Sequence, residues 1–246
     1  MCDLTSKWTA PAVTGHIVAL MFASATYELK ASMRFDANTL ASEVRLVGNN
    51  TLVRAPTGSP LLQMLPGTPP VVLHGLTLQG QLDVRAGVLQ MEACALEEGR
   101  SLSNGGALTL SGVAHVEARS TVFRRNTAPH GGAIHVNGGD LLLDACHVVD
   151  NEAAADGGAI HVQNGSVVLR NGTLLKGNRA GRDGKSLLVV GGSVDYILPC
   201  PLGRYIRAAP GTDSMRVTKR EDHDFPYAYQ PIFERRTKCP AVCSTG

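Results

Sequence analysis

One motif recurs at a fixed interval, and that interval constrains the fold more than any other feature of the chain. GGALTL begins at Gly105, GGAIHV at Gly131 and GGAIHV again at Gly157, each start 26 residues after the one before. Self-similarity at such a period marks a stacked solenoid, in which each unit buries its apolar side only against its neighbours. Every unit holds three short apolar runs, at 134–136, 141–143 and 148–149 in the middle one. Runs this short, rich in β-branched residues and divided by Gly, Asn and Asp, predict strands separated by tight bends. With no hairpin signal between them, each strand must pair with its equivalent one coil on. The expected fold is all-β, a parallel β-helix with coils about 4.8 Å apart.

Aligning the units sorts the side chains. Leu108, Ile134 and Ile160 share one inward column and Leu110, Val136 and Val162 another, while Thr109, His135 and His161 fall between them and are expected to face solvent. Cys94, Ser120 and Cys146 share a column at the same period, suited to a cramped interior corner. Asn126, Asn151 and Asn178 close the third strand of successive units, which predicts an asparagine ladder that satisfies buried turn amides. Gly105, Gly131 and Gly157 fall where the chain turns into the first strand and where positive φ or close approach between coils is required. Residues 184–197 repeat the pattern in degraded form and read as the last coil.

Phe123-Arg124-Arg125-Asn126 followed by Gly131-Gly132-Ala133-Ile134 is similar to the FxxN and GGAI repeats of chlamydial polymorphic outer-membrane proteins. More broadly it resembles right-handed parallel β-helix proteins of the pectin-lyase-like group. The resemblance covers about residues 72–198 and implies a right-handed solenoid placed at a surface or outside the cell. Two units depart from it at the aromatic, reading Val148-Val149-Asp150-Asn151 and Leu175-Lys176-Gly177-Asn178. Those outer-membrane proteins also end in a membrane β-barrel, for which this sequence offers no segment.

Along the chain, residues 1–25 read either as an N-terminal cap strand or as a weak signal segment, since the apolar run 17–25 ends in Ala23-Ser24-Ala25 but follows Asp3 and Pro11. That run continues into Ala25-Thr26-Tyr27-Glu28-Leu29, which resembles the GTYxL opening of pectin-lyase-like chains. The β-helix is expected over 26–198, with regular repeats from 72, five coils in that part and up to seven in all. Five prolines between Pro56 and Pro70 predict a protruding loop or a coil boundary. Residues 199–246 hold six of the 13 prolines and three of the six cysteines. There Cys200-Pro201-Leu202-Gly203-Arg204-Tyr205 resembles the CPxGxY start of an extracellular cysteine-rich module, and an extended tail is expected.

A net charge of +2 argues against a nucleic-acid partner, and no apolar run is long enough to span a membrane. Cys94 and Cys146, two coils apart, are too distant for a disulfide and are expected to be free and buried. Cys200 with Cys239 or Cys243 is the disulfide candidate, which would imply an oxidising compartment. No metal or cofactor is expected: His135 and His161 stack on adjacent coils, but Thr109 and Leu188 flank them in that column. Glu92, Glu117 and Asp144 form an outward acidic column followed by Arg170, and Glu117 with Asp144 would approach the carboxyl separation of a retaining glycosidase. Asn49, Asn164 and Asn171 head glycosylation sequons, relevant if the chain is secreted. The sequence therefore points to a non-enzymatic extracellular or cell-surface scaffold that contacts carbohydrate or a cell-surface protein, with a polysaccharide-active enzyme using the acidic column as the alternative.

Overall fold

Seventeen strands pair into one sheet wound around a single axis, and Thr127–His130, Glu152–Asp156 and Arg179–Ala180 pair into a second. The computed structural model describes residues 16–23, 25–197 and 214–217. Within them every regular element is a strand, and the chain is a parallel β-solenoid of about seven turns. Cys200, Cys239, Cys243 and residues 1–15 lie outside the described residues.

The register shows how the sequence achieves this. On one face Val18, Val44, Val71, Leu89, Val116, Leu141, Val167 and Val194 pair in succession, each directly over the last. A second column runs Met33, Leu62, Leu82, Leu108, Ile134, Ile160 and Leu187. A third runs Tyr27, Val53, Leu78, Leu96, Phe123, Val148 and Leu175. Apart from Val18, Met33 and Tyr27 on the first coil, all these side chains are buried and belong to the core, with further inward columns beside them, such as Leu46, Leu73, Met91, Ala118, Leu143 and Leu169. Each buried aliphatic side chain contributes about 1.5–3 kcal/mol of transfer free energy.

The bends repeat as strictly as the strands. Glu98, Arg125 and Asp150 take φ of 56, 54 and 54° at the same step, and Gly177 takes 68° there in the next coil. Ala93, Ser120 and Ala145 do likewise at the preceding corner, with φ of 52, 48 and 51°. In the doubled glycines that open the repeats, at 105–106, 131–132 and 157–158, the two residues serve different ends. Gly131 has φ of 61°, whereas a Cβ on Gly132 would overlap the carbonyl oxygens of Gly158 and Glu152 in the next coil.

Two expectations need correction. The proline-rich stretch is a working coil: Leu62–Met64 is a strand paired in parallel on both sides, Leu61, Leu62 and Met64 are fully buried, and the prolines sit outside the strand. The ladder includes Ile17–Met21, and the coils before residue 72 keep the same columns at unequal spacing. The partner of Cys94 and Cys146 is Thr121, not Ser120. Ser120 occupies the left-handed bend, and the Thr121 hydroxyl accepts from Cys94 N (3.4 Å) and donates to Arg119 O. Beyond the last coil, Ser214–Val217 pairs antiparallel with Ser193–Ile197.

Candidate functional site

The asparagine ladder is an interior structure. Asn151 Oδ1 accepts from Asn126 N (2.9 Å) and from Asn126 Nδ2 (3.0 Å), and Asn178 Oδ1 accepts from the same two atoms of Asn151. Each side-chain amide also donates across its bend: Asn126 to Leu96 O, Asn151 to Phe123 O and Asn178 to Val148 O. At the lower end Gly99 N donates to Asn126 Oδ1. All three asparagines are buried, so their place is in the corner and not on a binding surface.

The outward carboxylates do not form the expected column. Glu92 pairs with Arg119, Arg119 with Asp144 and Asp144 with Arg170, so charge alternates from coil to coil, while Glu117 stands beside Gln90 and Leu142. Asp144 Oδ2 accepts from Arg170 Nε (3.0 Å) and Nη2 (2.8 Å), and its Oδ1 accepts from Asn171. Glu117 Oε1 accepts from Arg119 Nε and Nη2 and lies 3.8 Å from Arg170 Nη2. Only 14% of either carboxylate side chain is exposed. Acids that must straddle a glycosidic bond need free oxygens facing each other across a gap, whereas these face guanidinium groups. Glu92 reaches His74 at 3.6 Å.

The histidines are the larger surprise. His135 and His161 are 4% and 7% exposed, not solvent-facing, and their rings stack with centroids 5.1 Å apart. They stand outward on their strands between Thr109 and Leu188, as the register expected. A second column of polar residues covers them. Gly105, Gly131 and Gly157 each donate their backbone N–H to a carbonyl one coil on, which sets Asn104, His130, Asp156 and Asp183 in line. These two columns meet at the glycine bend. His130 lies 5.3 Å from the His161 ring, and its Nδ1 stands 3.1 Å from Asp156 Oδ2, which accepts from Arg182 Nη2 at 2.6 Å. Asn104, His130, His161, Gln163 and Val190 line a shallow cleft of about 230 Å³. The sequence carried a signal for this: a polar residue stands immediately before the glycine that opens each repeat, at 104, 130, 156 and 183.

Hydrogen-bond directions at this corner follow from what each atom can do. The Asn104 amide nitrogen can only donate, so His135 Nε2, 3.4 Å away, is the acceptor. A neutral His135 then carries its proton on Nδ1 and donates it to His161 Nδ1 at 3.1 Å, which leaves the His161 proton on Nε2. Burial, then the neighbouring His161 and His130, lower the His135 pKa to about 4. Burial and His130 lower that of His161, and Asp156 opposes them. Among the described residues no three His, Cys, Asp or Glu side chains are placed to hold a metal ion.

Cys94 and Cys146 are free and buried, and burial raises both thiols, that of Cys146 to about 11. In the native full chain at neutral pH, iodoacetamide is expected to leave both unmodified, and to alkylate them once denaturant is added. Peptide mass spectrometry reads this, and labelling of either under native conditions would contradict the packing. Asn49, Asn164 and Asn171 are all exposed, Asn164 donating to Asn137 and Asn171 to Asp144. No helix among the described residues is long and apolar enough to cross a membrane. Comparison of the chain with protein families, with curated proteins and with solved structures found no match.

Proposed function

We propose that the chain is a non-enzymatic, surface or extracellular β-helical scaffold whose outer faces contact carbohydrate or a cell-surface protein. The observation that carries this reading is the commitment of Glu117 and Asp144 to arginine partners within a regular ladder. The bends next to those acids add support, since among the described residues Ala93, Ser120 and Ala145 repeat one tight left-handed step and raise no wall for a substrate groove there. The similarity of the FxxN and GGAI repeats to chlamydial polymorphic outer-membrane proteins, and to pectin-lyase-like β-helices, favours the same placement. Exposed sequons at Asn49, Asn164 and Asn171 suit a secreted glycoprotein.

The test uses the full chain against a panel of neutral and anionic polysaccharides and intact cell surfaces. Retention and release of new reducing or unsaturated ends are both measured. The expected result is retention by at least one surface with no release of ends, and retention within about twofold for Glu117→Gln/Asp144→Asn. Release of ends that this variant loses would establish the enzyme instead. Retention by none of the surfaces would overturn the contact role.

A further inference from the structure

We propose that the hydrogen-bond chain from Asn104 through His135 to His161 is an acid-sensitive latch, which holds the turn at residues 99–107 over the cleft and releases it when either imidazole is protonated. The chain runs in one direction, and that is what makes it sensitive. A proton added to His135 must go to Nε2, where it meets the Asn104 amide donor. A proton added to His161 must go to Nδ1, where it meets the His135 Nδ1–H. Either addition turns a hydrogen bond into two opposed donors inside a buried site.

Among the described residues, none that is packed against the pair offers the new charge a free counter-ion. Thr109 and Leu188 flank it in the strand columns, and the 99–107 turn supplies Asn104. His130 presents a third imidazole from Thr127–His130, adding repulsion if it too is charged. Asp156, from Glu152–Asp156, faces His130 and is already held by Arg182. The turn itself is tied down by Gln81 Nε2, which donates to Asn104 O at 2.7 Å and Gly105 O at 2.6 Å. Once Asn104 loses His135, the turn keeps that neutral amide and the backbone bonds from Leu82 N to Ala107 O, from Ser101 N to Thr127 O and from Gly105 N to His130 O, so what is released is the Asn104 tip over the cleft.

The direction of the pH effect follows from the lowered histidines. The opened segment has ordinary imidazoles, near 6.5, whereas the closed one holds His135 down at about 4. Between these values the open form takes up protons first, so the latch is intact above about pH 6.5 and weakens as pH falls toward about 4.

Amide hydrogen exchange on the full chain tests this. Between about pH 7 and about pH 5, with intrinsic rates corrected, exchange across 99–107 and 130–136 is expected to speed at least ~10-fold, while the coils at 43–79 change little. His135→Thr/His161→Leu places at these positions the residues that the same column carries at Thr109 and Leu188, and is expected to abolish the acid response. Acceleration that persists in this variant, or its absence in the wild type, overturns the proposal. Should the variant fail to fold, ¹⁵N NMR of the wild-type rings decides: Nδ1–H on His135 with Nε2–H on His161 at neutral pH supports the latch. Other tautomers, or titration of both rings near 6.5, overturn it.

Discussion

Asn151→Ala is expected to destabilise the protein by about 5 kcal/mol. The substitution leaves three buried polar groups without their partner: Asn126 N–H, one hydrogen of Asn126 Nδ2 and the carbonyl of Phe123. Each such group costs about 1–3 kcal/mol when water cannot replace the bond. The ladder also ranks its members. Asn126→Ala strands only Gly99 N–H and the Leu96 carbonyl, because Asn126 N still reaches Asn151 Oδ1, so about 3 kcal/mol is expected there. Denaturant midpoints give the order. Hydrogen exchange should place the damage in Val122–Arg124, His147–Val149 and Leu174–Lys176, since each coil touches only its neighbours. Equal losses at the two positions would show that the side-chain amides do not act as the connected chain seen here.

Gly158→Ala is expected to be as severe, at more than about 4 kcal/mol, for a different reason. The backbone there needs no left-handed conformation. A methyl group at this point would instead overlap the carbonyl oxygens of Lys185 and Arg179 in the coil above. Relief requires two coils to move apart, which breaks ladder bonds on either side. Gly172→Ala is the control: its φ is +76° but nothing lies within 4 Å of the added carbon, so only the backbone term of about 1 kcal/mol applies. Thermal unfolding of the two variants separates close approach from conformational strain. A Gly158→Ala protein that melts with the wild type would mean that the coils are not in backbone contact at the doubled glycines.

The solenoid was legible where spacing is regular. Ile134 and Ile160 stack on Leu108 because the repeat there is constant, and the period exposed that pile directly. The earlier coils were expected but their register was not, because Val71 and Leu89 occupy one column only 18 residues apart and no fixed period aligns them. Prolines at 66, 69 and 70 then looked like an interruption, although a corner has no ladder bond for proline to lose. The histidines were placed on the correct side of their strands but assigned the wrong exposure. Alternation reports which way a side chain points, and it is silent on whether the next bend folds over it, as Asn104 does here. The acidic column failed through a slip of two residues. Counted by the period, Glu92 leads to position 118; a one-residue slip back gives Glu117, whereas the coil takes the opposite step to Arg119.

The strand at Ser214–Val217 runs against the direction of every coil beneath it. A stack of like-oriented rungs is a template that a second molecule could extend, since its last rung resembles all the earlier ones. Here a newcomer aligned with Leu174–Lys176 and Leu187–Val189 would meet an opposed neighbour on the remaining face. A newcomer could not satisfy all three faces at once by parallel pairing, so this rung is not a template of the kind that the coils beneath it present.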